Sequence, residues 1–206
     1  MDYKLRRFFL TVAVALLCLP WAIPAEAGLP TDQTKATVDK VISILQQPGP
    51  KNEGRRQQLR DTIYARFDFP EMAKRSLGPH WSRRTPEEQQ EFTKVFADLL
   101  ESSYVDKIEG YNGEKVAYTR EQQDKDNAEV FTKVITKKGE EFSINYKLHP
   151  VGREWKVYDV VVEDISLVNN YRSQFNRILA NGSFDELLKK LQQKSPEMKA
   201  PGAKKG

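Results

Sequence analysis

The side chains that could do chemistry are few and scattered. His80 and His149 are the two histidines of a 206-residue chain with one cysteine, Cys18. Neither histidine has a second ligand-type residue at metal-binding spacing, so no metal site is assigned. Asp124-Lys125-Asp126-Asn127 is the nearest approach to a calcium loop. It lacks the glycine and the distal glutamate and reads better as a solvated hairpin turn. There is no G-x-S-x-G, no phosphate loop and no G-x-G-x-x-G. Glu163-Asp164 could serve as an acid and base pair, but a strand end followed by a helix cap suits them better. Asp159 is the one acid set among apolar strand residues. His80, beside Trp81, could touch a ligand, though a plain loop histidine is the simpler reading. No catalytic residue and no cofactor is assigned.

The elements that must position these residues centre on Trp155 to Leu179, WKVYDVVVEDISLVNNYRSQFNRIL. Its first part is β-branched and aromatic and predicts a strand covered on both faces. Tyr158, Val160 and Val162 fall on one face, with Trp155, Val157, Val161 and Asp159 on the other. From Leu167 the period becomes helical: Leu167, Val168, Tyr171, Phe175, Ile178 and Leu179 form a stripe, capped by Ser166 or Asp164. A last long strand therefore runs into a helix that folds back over its own sheet.

The chain opens on Lys4, Arg6 and Arg7, an apolar run from Phe8 to Leu19, and Ala25-Glu26-Ala27. This is the pattern of a cleaved secretory signal peptide over residues 1–27, and it predicts a periplasmic protein. An uncleaved anchor is the less fitting alternative, since the run is short for a bilayer. Leu17 before Cys18 argues against a lipid-anchored cysteine. Cleavage would remove the one cysteine, and with it any disulfide. It would also remove three basic and two acidic residues, lowering the formal net charge from +4 by one. The mixed charges argue against a nucleic-acid partner.

The remainder, 28–194, reads as a single domain with a helical half over 31–109, a sheet over 114–163 and C-terminal helices over 166–193. Thr31 to Gln47 and Lys51 to Phe67 predict two helices separated by Pro48-Gly49-Pro50, the second with a Leu59, Ile63 and Phe67 stripe. Asp68-Phe69-Pro70-Glu71 opens a short helix that Gly78-Pro79 ends. Thr85-Pro86-Glu87-Glu88 is a capping-box start for a helix reaching Glu109, about 36 Å long. Four strands follow in an antiparallel meander: Lys115 to Arg120, Ala128 to Lys137, a period-two strand with Phe142, Ile144, Tyr146 and Leu148, and Trp155 to Val162. Ser183 and Glu186 box the last helix. Residues 195–206, rich in Pro, Gly, Ala and Lys, are expected to be disordered.

The long helix has a wide apolar face: Phe92, Val95, Phe96, Leu99, Leu100, Tyr104, Val105 and Ile108. With the two-sided strand this is more apolar surface than one sheet–helix layer requires, which points to an apolar slot. Three classes fit: a carrier of an apolar ligand, an enzyme with an acid–base pair deep in the slot, and an interaction module whose core is simply full.

The segments FDFPEMAKRSLGPHWSRRTPEEQQEFTKVFADLLESSYV and WKVYDVVVEDISLVNNYRSQFNRIL resemble the MlaC, or toluene-tolerance, family. The patterns F-x-x-M-A-x-x-x-L-G-x-x-W and V-x-D-x-x-x-E-x-x-S-L-V-x-x-Y-R-x-Q-F carry the resemblance. It implies an α+β fold in which a four-stranded antiparallel, cone-shaped sheet of NTF2-like type packs with N- and C-terminal helices around the slot. It implies a non-enzymatic periplasmic phospholipid carrier, expected to be monomeric. Its partners would be an inner-membrane ABC transporter complex with an MCE-domain component and an outer-membrane lipoprotein–porin complex. A carrier of hopanoid or another apolar lipid is the alternative within the family. On this reading the lipid-lining residues are Phe69, Met72, Leu77, Trp81, Phe96, Leu99, Leu100, Tyr104, Val105, Ile108, Phe142, Ile144, Tyr146, Val160, Val162, Ile165, Leu167, Tyr171 and Phe175. Asp164 stands where the family pattern leads one to expect a glycine.

Overall fold

The computed structural model describes residues 29–49 and 52–193. The expected signal peptide and C-terminal tail lie outside the described residues. Helices α1 (Pro30–Leu45) and α2 (Glu53–Arg66) lead to α3 (Phe69–Leu77). A 3-10 turn, Gly78–Arg83, then connects to the long helix α4 (Pro86–Glu109). Strands β1 (Lys115–Asp124), β2 (Asn127–Ile135), β3 (Glu141–Val151), β4 (Glu154–Val162) and β5 (Ile165–Ser166) precede α5 (Leu167–Asn181) and α6 (Phe184–Gln192).

The fold is α+β, and the sheet has five strands in the order β1-β2-β3-β4-β5, each antiparallel to its neighbour, rather than the expected four. The fifth strand is a two-residue return of the chain across the turn Glu163-Asp164, too short to carry a period. β1 also runs further than its apolar residues indicate. Glu121 to Asp124 pair with Val130 to Asn127 through backbone groups alone, so a polar run that looks like a turn is the end of a ribbon.

The helix starts follow their caps. Thr85 and Glu88 close a reciprocal capping box over Pro86 at the first turn of α4. Asp68 caps α3 by accepting from the Glu71 amide at 2.9 Å, while its other oxygen lies 2.9 Å from His149 Nε2 on β3. The Asp68 amide in turn donates to the Val157 carbonyl at 2.8 Å, so the α2–α3 joint is fastened to the sheet. Arg66 does the same for α1, donating to Gln33 Oε1, Thr37 Oγ1 and the Trp155 carbonyl.

Two apolar clusters result. The larger is helical and unites α3, α4, α5 and α6. The smaller lies on the sheet and contains Ala128, Val130, Leu148, Trp155 and Val157, with Tyr118, Tyr146 and Val160 at its margin. Phe67 packs against both. In β4 the simple alternation expected from sequence breaks. A bulge opposite Lys147 and Leu148 inserts one residue, so Trp155 and Val157 before it join Val160 after it in one cluster. Asp159 and Val161 are buried on the opposite side of the strand from Val160 and Val162.

Candidate functional site: an apolar interior with buried phenols

The wide apolar face of α4 divides into two parts. Its first half is filled core. Phe92 and Phe96 stack with centroids 5.8 Å apart. Phe175 meets both edge-on at 5.6 and 5.7 Å, and Tyr171 meets Phe96 edge-on at 5.4 Å. Edge-to-face rings at these distances are well-packed aromatic contacts. Of the residues expected to line a slot, Phe69, Met72, Leu77, Phe96, Leu99, Leu100, Leu167, Tyr171 and Phe175 lie together in this helical cluster, with Trp81 and Tyr104 at its edge.

The second half of α4 differs. Tyr104, Val105 and Ile108 are only half-buried. The last turn is drawn to α2 through side chains. Arg56 forks onto the buried Glu109 carboxylate at 2.9 and 3.1 Å, and Arg60 pairs with Glu101. α4 makes no extended backbone contact with α2 or with any strand.

On the sheet, Phe142, Ile144, Tyr146, Val160 and Val162 share one face. Tyr146 stands opposite Val160 and Val130, and Ile144 opposite Val162 and Thr132. All five expected residues are half-buried rather than sealed. Burial of the Tyr146 hydroxyl pushes its pKa up to about 12. Ile165 goes elsewhere. It sits in β5, 47% exposed, because the turn before it carries it to the sheet edge.

Three phenols add a polar element. The hydroxyls of Tyr104, Tyr118 and Tyr171 are sealed from solvent and have no hydrogen-bond partner. Burial drives all three pKa values upward. Tyr171 raises Tyr104 further, and both rings belong to or pack against the helical cluster. Ser103 opposes the shift at Tyr171: it donates its hydroxyl to the Leu99 carbonyl, and its oxygen is still able to accept from the phenol.

An open groove of about 630 Å³ runs outside the helical core between α2, α3, the 3-10 turn and α4. Phe69 and Trp81 line it, together with Tyr64, Phe67 and Ala97, which the sequence reading did not assign to a site. The signal for Phe67 was present, since it ends the α2 stripe; Tyr64 lies off that stripe and gave none. Tyr118 was also missed, although it alternates with Val116 on β1.

The groups considered for proton chemistry are held by structural partners. Both Asp159 oxygens serve the start of α5, one accepting from Ser166 Oγ at 2.6 Å and the other from the Val168 amide at 3.0 Å. Glu163 and Asp164 form an exposed turn. Among the described residues there is no cluster of three or more His, Cys, Asp or Glu that could hold a metal ion. Nor, among them, is any helix long and apolar enough to cross a membrane.

This is an α+β architecture that encloses apolar surface and buried phenols. The chain belongs to the MlaC family, whose model matches residues 35–193. It is 26% identical over 126 residues to the intermembrane phospholipid transport system binding protein MlaC of Haemophilus influenzae, covering 59% of each chain. It is 30% identical over 110 residues to toluene tolerance protein ttg2D of Pseudomonas putida, covering 52% of this chain and 51% of that one. The matched stretch thus spans between half and three-fifths of these curated relatives. A phospholipid-binding protein from Ralstonia solanacearum, solved in complex with a phospholipid, superposes with a TM-score of 0.73 at 28% identity, covering 82% of this chain and 97% of that one.

Proposed function

We propose that this protein is a periplasmic phospholipid carrier. It takes acyl chains into the space between the sheet face of Phe142, Ile144, Tyr146, Val160 and Val162 and the second half of α4, and moves lipid between inner- and outer-membrane complexes of an ABC transport system. The observation that carries the reading is the half-buried apolar band that these five residues form on one face of the sheet. It is supported by membership in the MlaC family and by likeness to a protein solved with a phospholipid bound. The physical need is large. A diacyl lipid has roughly 30 methylenes, each costing about 0.8 kcal/mol in water, and an apolar slot removes most of that cost without covalent chemistry. Release requires that the slot not bind too tightly, so affinity would be set against the membrane complexes at either end.

Native mass spectrometry on protein purified from its own host without detergent tests this. About one diacyl lipid per chain is expected, and organic extraction should return intact phospholipid. Apo protein alone, or extracted lipid no different from that of an unrelated periplasmic protein, would overturn the proposal.

A further inference from the structure

The helices α3, α4, α5 and α6 join one another through rings and sealed aliphatic side chains. α2 meets α4 differently. At one end of the seam between them lies the open groove of about 630 Å³, with Tyr64 and Phe67 on one wall and Ala97 and Asp98 on the other. At the other end two ion pairs bridge the helices: Arg56 forks onto Glu109 at 2.9 and 3.1 Å, and Arg60 pairs with Glu101. Glu101, Val105 and Glu109 recur every four residues and so share one face of α4. Val105, half-buried and assigned to the slot, therefore lies between the two bridged carboxylates. The fastening of α2 is one-sided as well. Near its C-terminal end Arg66 donates to the Trp155 carbonyl and the Asp68 amide to the Val157 carbonyl, and Gln33 of α1 accepts from the Trp155 amide beside them. At the opposite end Arg55 ties α2 to α1, through the Gln47 and Gly49 carbonyls, rather than to the sheet.

Parting two packed apolar surfaces exposes both to water, at a cost that grows with their area. Parting a partly exposed ion pair returns each charge to water and costs little. Arg56 and Arg60 both keep solvent on one side, and the Glu109 carboxylate, now buried, would regain water as the helices separate. The α2–α4 seam is thus the side of the interior that opens most cheaply. We infer that it is the portal through which acyl chains enter and leave, with Arg56–Glu109 and Arg60–Glu101 as its latch. This rests on the carrier reading and adds the route of the lipid and the residues that set its rate of exchange.

The test is a reducible lock. Arg60→Cys and Glu101→Cys are introduced together, in a chain whose own Cys18 falls within the expected signal peptide, and are joined by a bismaleimide with a disulfide at its centre. Exchange is read as transfer of a fluorescent diacyl phospholipid from vesicles to the delipidated protein and back. Before linking, the double variant should exchange about 2–5-fold faster than wild type, the scale of one partly exposed ion pair. After linking, exchange should fall below the wild-type rate, protein loaded beforehand should keep its lipid, and reduction should restore the fast rate. A charge swap gives a second reading without a linker. Arg60→Glu and Glu101→Arg should each speed exchange, and the two together should return it towards wild type. A linked protein that exchanges as fast as wild type, or single reversals that leave the rate unchanged with the fold intact by circular dichroism, would overturn the portal and leave the carrier reading in place. A wild-type protein that takes up no lipid would overturn both.

Discussion

The Asp159 carboxylate accepts the Val168 amide at 3.0 Å, so the buried acid of β4 caps the helix that follows it. The chain between them reverses through a turn and a two-residue strand, and its second carboxylate oxygen holds Ser166 Oγ. An acid that might have been read as catalytic thus fixes the angle between sheet and α5. Asp159→Ala should cost about 2–3 kcal/mol, since it removes a helix cap and strands two donors. Asp159→Asn, which keeps one acceptor, should cost less. Chemical denaturation checks both. If Asp159→Ala left stability unchanged, this cap would not be holding α5.

The turn that makes this cap possible places Glu163 at φ 49° and Asp164 at φ 64°. A two-residue hairpin with both residues left-handed is the type I′ turn, for which glycine is favoured and Asp tolerated. That accounts for a glycine being expected at position 164 and shows that Asp164 keeps the same path. Asp164→Gly should therefore fold normally, with stability within about 1 kcal/mol of wild type. Asp164→Val, β-branched in a left-handed position, should lose more than 1 kcal/mol. Melting temperatures of the two variants would decide it; a tolerated valine would contradict the strained-turn account.

The elements with strong local signals were legible in sequence. The Thr85 and Ser183 capping boxes, the Asp68 cap and the reach of α4 to Glu109 all stand in the structure. What local pattern could not show were non-local effects. β5 is two residues long and defined only by its partner. The bulge at Tyr158 depends on β3 across the sheet. The stripe of α4 reads as continuous from Phe92 to Ile108, yet Phe92, Phe96, Leu99 and Leu100 are sealed in the helical cluster while Tyr104, Val105 and Ile108 are half-buried. Where a core stops and a slot begins is decided by neighbouring elements, not by the helix itself.

The buried phenols predict a response to alkali. Burial raises Tyr104, Tyr118, Tyr146 and Tyr171 above the ordinary tyrosine value near 10, Tyr146 to about 12. A raised folded-state value means the native state holds the neutral phenol more firmly than the unfolded chain does. That stabilisation is complete below pH 10 and is lost as pH climbs through 10 to 12 and beyond. Phenolate absorbance should therefore show one fraction titrating near 10 and a second appearing only with unfolding, tracked by far-ultraviolet circular dichroism. Lipid-loaded protein should hold its second fraction to higher pH than delipidated protein. Titration of every tyrosine in one reversible step near 10, with the fold intact, would show that these rings are not enclosed.

Bulky substitutions along α4 can map where the filled core gives way to the proposed slot. Leu99 and Leu100 are 3% and 6% exposed inside the helical cluster, so Leu99→Trp or Leu100→Trp must overpack a full core, at about 1–3 kcal/mol. Val105 and Ile108 lie one to two turns further on and are half-buried outside both apolar clusters. Val105→Trp or Ile108→Trp can place the added ring in the space left for acyl chains. These two variants should keep the melting temperature of the delipidated protein within a few degrees of wild type and lower the lipid recovered per chain. The leucine variants should do the reverse, losing stability in both loaded and empty forms while the surviving folded fraction still carries lipid. The measurements are a melting curve and an extracted-lipid count on each of the four proteins. If Val105→Trp and Ile108→Trp kept full lipid, the slot would have to lie away from the second half of α4, and the open groove beside Phe69 and Trp81 would become the place to look.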